Sequence, residues 1–378
     1  MNRIILSLII ALAAPTMLAQ RKFEFRRDLP VYLDRIKSEL TYPLAWGNSP
    51  ITDFDEWHTV ARDKVIELML TPPKPSAQWD PEVISEEKRD GYTAQKFAFN
   101  LTDYSRVEAY VLTPDGDGPF PAVVALHDHG AHYTIGKEKM VRPFDVPDSV
   151  ISDADQWTER LYEGQYVGDF LARNGYVVIA VDALFWGDRG RLEGPDGDHY
   201  ASIAGNFMML GRNLSAWMTF EDMYTADFLA TLPKVDPERI GCIGLSMGAY
   251  RAWMLSALSP RIKAGVAVCW MTTTDYQTAW TTKRDERGAF PNNLIGVRNY
   301  LDYPHIASLA CPNAMYFVAG ENDRLFHPEA VRDAFGTMRG VWESQGVGHK
   351  LRTELLPMGH EMPKSVQQSS LEFLNQNL

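Results

Sequence analysis

Six strand-like runs punctuate the chain: Ala122 to Leu126, Tyr176 to Val181, Ile240 to Leu245, Ala264 to Trp270, Ala314 to Ala319 and Arg352 to Pro357. Helical patterns lie between them at Gln165 to Asn174, Ala216 to Leu232, Ala249 to Leu258 and Ala330 to Gln345. Runs that are apolar throughout, rather than alternating, have no face to give to water. Strands of that kind belong in a mostly parallel sheet covered by helices on both faces, which sets the fold class as α/β. Ahead of this series, Thr93 to Phe99 and Val107 to Leu112 alternate apolar and polar residues around the polar segment Asn100 to Arg106, the pattern of an antiparallel hairpin. Leu29 to Leu40 and Phe54 to Leu70 repeat apolar residues at helical spacing. Thr52 or Asp53 can cap the second of these, and Pro72, Pro73 and Pro75 stop it. Three connections are long, His132 to Tyr162, Phe185 to Leu214 and Thr272 to Ile306. All leave the carboxyl ends of strands, where ligands bind in such sheets.

The chain has 378 residues, room for one large domain with additions. Its net charge of −12 and the absence of a basic stripe argue against nucleic acid as a partner. Met1-Asn2-Arg3, the apolar Ile4 to Ala14 and small residues near Ala19 read as a secretory signal cleaved near Ala19 or Gln20. The expected division is a signal peptide at 1–20, a helical extension at 21–85 and a catalytic domain at 86–378, in a secreted or periplasmic protein without a membrane anchor. The oligomeric state is not legible in the sequence. Three cysteines, Cys242, Cys269 and Cys311, are too few for a disulfide framework and read as buried thiols.

The chemistry centres on Gly244-Leu245-Ser246-Met247-Gly248. This G-x-S-x-G follows an apolar run and opens a helical one. A serine there sits on a sharp strand-to-helix turn, with its hydroxyl pushed out of the sheet and the Met247 N–H beside it. A serine hydroxyl is a weak nucleophile and needs a base, and the base needs an orienting acid. Asp323, in the turn after the Ala314 to Ala319 run, is the expected acid, with Glu321 its rival. His360, after the last strand, is the expected base. The oxyanion of the reaction needs two amide donors. Met247 is one. The loop His127-Asp128-His129-Gly130-Ala131 supplies the other, through His129, or through Ala131 if the register is offset by two. The same histidines could hold a cation, but no third and fourth ligand stands at a convincing distance, so neither a metal nor a cofactor is expected.

With these motifs in place, residues 86 to 378 resemble the dienelactone-hydrolase and acetyl-xylan-esterase group of α/β-hydrolases. The resemblance rests on Val235-Asp236-Pro237-Glu238-Arg239-Ile240-Gly241 leading into the serine turn, on Gly320 to Asp323, and on Met358-Gly359-His360. His127 to Lys137 with Trp186-Gly187-Asp188-Arg189 is similar to secreted carbohydrate-associated esterases. The resemblance implies a serine carboxylesterase acting on acetylated polysaccharide or oligosaccharide. Within the same triad, a peptidase or lactonase is the alternative, and an idle glycan-binding fold a further one. His127, Trp186, Arg189 and Trp270 are candidate substrate contacts, as are Tyr133, Tyr276 and Trp280. The competing reading of the aromatics is core packing. That of Arg189 and Arg191 is salt bridges to Asp188, Glu193 or Asp196.

Overall fold

The computed structural model describes residues 28–190, 197–278 and 293–378. The expected signal segment, Arg191, Glu193, Asp196 and Trp280 lie outside the described residues. The architecture is one sheet of nine strands in the order β1-β2-β3-β5-β4-β6-β7-β8-β9. The strands are β1 (Glu82–Arg89), β2 (Tyr92–Thr102), β3 (Ser105–Pro114), β4 (Phe120–Leu126), β5 (Val177–Val181), β6 (Val235–Leu245), β7 (Ile262–Val268), β8 (Ala314–Gly320) and β9 (Leu351–Leu356). β1 to β3 form an antiparallel meander, and β3 joins β5 antiparallel. From β5 through β4 to β9 every pairing is parallel. All six expected runs are strands, and the expected hairpin is β2–β3. β1 was not foreseen. It reads Glu-Val-Ile-Ser-Glu-Glu-Lys-Arg and lies at the sheet edge, half exposed, where its charges show no clean alternation.

Among the described residues, eleven α-helices surround the sheet: α1 (Asp28–Ser38), α2 (Phe54–Leu68), α3 (Asp148–Tyr162), α4 (Val167–Arg173), α5 (Gly197–Met209), α6 (Leu214–Leu229), α7 (Met247–Leu258), α8 (Thr274–Gln277), α9 (Tyr303–Ala307), α10 (Pro328–Ser344) and α11 (Lys364–Asn377). On one face, α6, α7 and α10 bury Phe220, Trp253 and Trp342 against the sheet. On the other, α3, α4 and α11 bury Trp157, Leu171 and Phe373. β8 shows why its run is apolar throughout. Met315, Phe317 and Ala319 enter the first layer, and Ala314, Tyr316 and Val318 the second. Asp53 caps α2 by accepting the Glu56 N–H at 2.9 Å. Trp57, Ala61 and Val65 of that helix enter the same core as α7 and α10. Helices α3 and α5 fill two of the three long connections. No described helix is long and apolar enough to cross a membrane.

Candidate active site

β6 delivers Ser246 to the carboxyl edge of the sheet. Its φ of 57° lies in the left-handed region that non-glycine residues avoid, so the turn is strained. Two backbone bonds hold it there: Ser246 N–H donates to Val268 O at 2.8 Å, and Ser246 O accepts from Tyr250 N–H at 3.0 Å. The flanking glycines give clearance. A Cβ on Gly244 would stand 2.4 Å from Gly248 C, and one on Gly248 only 2.0 Å from Leu126 O. From Ile240 to Tyr250 every residue is buried except Ser246, which is partly open to solvent. Met247 begins α7, so its N–H is among the first-turn donors that have no partner within the helix.

The loops after β8 and β9 cross closely. Glu321 N–H donates to Leu356 O at 2.7 Å and Asn322 N–H to Met358 O at 3.0 Å. A Cβ on Gly320 would meet the carbonyl oxygens of Met358 and Gly359 at 2.4 Å, so this approach requires glycine. The crossing brings Asp323 to His360. Asp323 Oδ2 accepts from His360 Nδ1 at 2.7 Å, and Asp323 Oδ1 accepts from Leu325 N–H at 2.8 Å. With its proton committed at Nδ1, the neutral ring keeps a basic Nε2. The carboxylate side chain is 1% exposed and the imidazole 22%. Glu321, by contrast, is turned toward Arg332 at 3.6 Å. His349 precedes β9, and His327 caps α10. Cys269, the residue after β7, has its sulfur within 4.8 Å of ligand atoms of both Asp323 and His360. Ser246 is bonded to the residue just before Cys269, so the serine and the Asp–His pair share one edge, a strand apart.

The loop after β4 abuts the start of α7 at Leu126 and His127. His127 is fully buried. Its Nε2 accepts the Ala183 N–H at 2.9 Å, which leaves the proton on Nδ1, donated to Asp128 O at 2.9 Å. Burial, reinforced by the nearby Arg251 and Lys139 cations, holds its pKa well below the ordinary histidine value. His129 sits among Tyr133, Trp186 and Tyr200, and burial beside Lys139 lowers its pKa to about 4. Its Nδ1 accepts the Ala131 N–H at 2.9 Å. That bond occupies the amide of the offset register. No described acceptor takes the His129 N–H.

The profile of the Abhydrolase family matches residues 33–355. This chain belongs to that family. It is similar to "Putative hydrolase YtaP" of Bacillus subtilis (strain 168), with 26% identity over 295 residues, 78% of this chain and 91% of that protein. Among solved structures it is similar to one from Bacteroides fragilis NCTC 9343 described as a "putative acetyl xylan esterase", with 19% identity and a TM-score of 0.68 over 88% of this chain and 82% of the other. It is also similar to a glucuronoyl esterase from Solibacter usitatus, with 17% identity and a TM-score of 0.62 over 87% of this chain and 95% of the other. The chain is therefore an α/β-hydrolase in family and fold.

Within this Abhydrolase fold the expected substrate contacts mostly face inward. His127 has both ring nitrogens bonded to backbone groups and is a core residue. Trp186 is fully buried, donating Nε1 to His129 O at 3.2 Å beneath the loop. Trp270 is 5% exposed, ringed by Tyr250, Trp253, Tyr303 and Phe326. Tyr133 is buried likewise, and Tyr276 stacks on His327. Arg189 makes a bidentate pair with Glu221 at 2.7 and 2.8 Å; of the acids expected for it, Glu193 and Asp196 lie outside the described residues. Cys242, Cys269 and Cys311 are free and buried. Sequence reasoning missed a set of buried charges under the site. Lys137 Nζ reaches Asp182 and Glu138 at 2.9 Å, with Asp188 also in contact, and Arg251 holds Asp222 at 2.6 and 2.9 Å. Burial opposes the Lys137 charge, but its three carboxylates outweigh that and raise its pKa. Only the run Gly136-Lys137-Glu138-Lys139 beside the histidine loop hints at this, and such a run usually lies on the surface.

Proposed function

We propose that the protein is a secreted serine esterase that removes acetyl groups from carbohydrate esters. The observation that carries this is the Asp323–His360 hydrogen bond of 2.7 Å at the sheet edge that also holds the strained Ser246 turn. In this reading His360 Nε2 takes the Ser246 proton as Oγ attacks the ester carbonyl. The N–H groups of Met247 and His129 receive the oxyanion. His360 then gives the proton to the departing sugar oxygen, leaving acetyl-Ser246. Water deprotonated by His360 releases acetate and restores the serine. None of these steps requires a metal or cofactor. The names of the similar structures support a carbohydrate ester as substrate, and the Met1 to Gln20 pattern supports export.

The test compares wild type with Ser246→Ala on p-nitrophenyl acetate and on acetylated xylan, pectin and methyl glucuronate esters. We expect acetate release from xylan, and a fall in kcat of roughly 10³ or more in the variant, since triad members act as a unit. Near-normal turnover by Ser246→Ala would refute the mechanism. Cleavage of the glucuronate ester alone would refute the acetyl assignment.

A further inference from the structure

The amide assigned to His129 belongs to a peptide whose opposite end is clamped. The carbonyl of Asp128 accepts Lys139 Nζ at 3.0 Å and His127 Nδ1–H at 2.9 Å. The carbonyl of His129 accepts the same Nζ at 3.2 Å and Trp186 Nε1 at 3.2 Å. A trans peptide is planar, with its N–H antiparallel to its C=O. Drawing the Asp128 carbonyl toward Lys139 therefore fixes the direction of the His129 N–H on the other side of the loop. A charged donor on the carbonyl also polarises the peptide and strengthens its N–H as a donor.

The lysine is built into this place. It is fully buried, with Nζ 3.6 Å from Asp128 Oδ1 and 4.8 Å from the centre of the Trp157 ring. Asp128 Oδ2 accepts Trp157 Nε1 at 3.1 Å and Tyr162 Oη at 2.7 Å, which ties the carboxylate to α3. The turn that carries Lys139 is fixed as well. Lys137 N–H donates to Asp182 Oδ1 at 2.6 Å, and a Cβ on Gly136 would stand 2.3 Å from that oxygen. A buried ammonium is costly unless its hydrogens are used, and these are spent on the two carbonyls of one loop.

We propose that Lys139 is a positioning residue of the oxyanion loop: its ammonium grips the carbonyls of Asp128 and His129 and so aims the His129 N–H at the substrate oxyanion. This rests on the esterase reading of the site. A lysine that only stabilised the fold would affect melting and leave the rate constants of the folded enzyme alone. Deleting an oxyanion donor outright lowers kcat by about 10²–10³, and misaiming one removes part of that. In the full-length enzyme, Lys139→Met is expected to lower kcat on p-nitrophenyl acetate by about 10- to 100-fold with KM nearly unchanged. Labelling of Ser246 by a fluorophosphonate should slow in parallel, because the phosphoryl oxygen uses the same amides. Lys139→Gln, which keeps a neutral polar group in the buried site, is measured alongside in case Lys139→Met does not fold, and the same direction is expected. A folded variant with wild-type kcat and labelling rate overturns the proposal while leaving the esterase reading intact. A wild-type enzyme that Ser246-directed probes do not label overturns both.

Discussion

Replacing Asp323 by asparagine tests the proton path at one atom. The two carboxylate oxygens have separate duties: Oδ1 accepts the Leu325 N–H at 2.8 Å and Oδ2 accepts His360 Nδ1 at 2.7 Å. The Asn carbonyl oxygen must stay with the Leu325 amide, because an NH₂ group there would face another donor. The Asn NH₂ is then directed at His360 Nδ1 and forces the ring into the tautomer protonated at Nε2. That nitrogen can no longer take the serine proton. A wrong tautomer in otherwise intact geometry lowers kcat by roughly 10⁴ in a serine–histidine–acid site. The isosteric change loses a charge-assisted hydrogen bond, so unfolding should cost less by only about 1–3 kcal/mol. Saturation kinetics on p-nitrophenyl acetate, with urea unfolding as the control, read both quantities. A folded Asp323→Asn enzyme that keeps more than about a tenth of wild-type kcat would show that Asp323 does not set the tautomer.

Gly320→Ala places a Cβ against the carbonyls of Met358 and Gly359 at 2.4 Å, displacing the His360 loop. We expect kcat to fall by about 10² while the chain stays folded by circular dichroism, and wild-type kcat would contradict this. Asp222→Ala strands the buried Arg251 and should cost about 3–5 kcal/mol in urea unfolding. Asp222→Leu with Arg251→Met should recover most of that, and equal losses in both would count against the pair. Histidine titration should destabilise the fold in acid. His129 has a folded pKa of about 4, below the ordinary value of 6.5, so the unfolded chain takes up its proton first as pH falls. Its contribution is complete above the ordinary value and is lost between there and about 4, with buried His127 acting in the same sense. His129→Gln should flatten the dependence of urea unfolding on pH in that window, and an unchanged slope would contradict the assignment.

The parallel core of the sheet and its serine turn are local facts. An apolar run, two glycines and a helical run are enough to mark β6, Ser246 and α7, because strand, turn and helix follow one another in the chain. Asp323 and Glu321 were both open as the acid in sequence; a two-residue offset past β8 turns Asp323 inward to His360 and Glu321 out to Arg332, and the proposed role of Asp323 rests on that direction. The inward burial of the expected substrate contacts has a related reason. Tryptophan, histidine and arginine look alike in sequence whether they line a cleft or pack behind it. Trp186 and Arg189 turn inward to a backbone carbonyl and the Glu221 carboxylate, and Trp270 packs among aromatic rings.

What the sequence alone determined was the order of the core strands and helices and the strand-to-helix setting of Ser246, since both follow from periodicity and short motifs. What only the tertiary structure decided was the inward placement of charge. Lys137 and Lys139 on one turn, and Asp128, Asp182, Asp222 and Arg251 on other elements, can be buried only because each finds its counter-charge or hydrogen bonds on a different part of the chain. That condition spans distant parts of the chain, so no local pattern carries it.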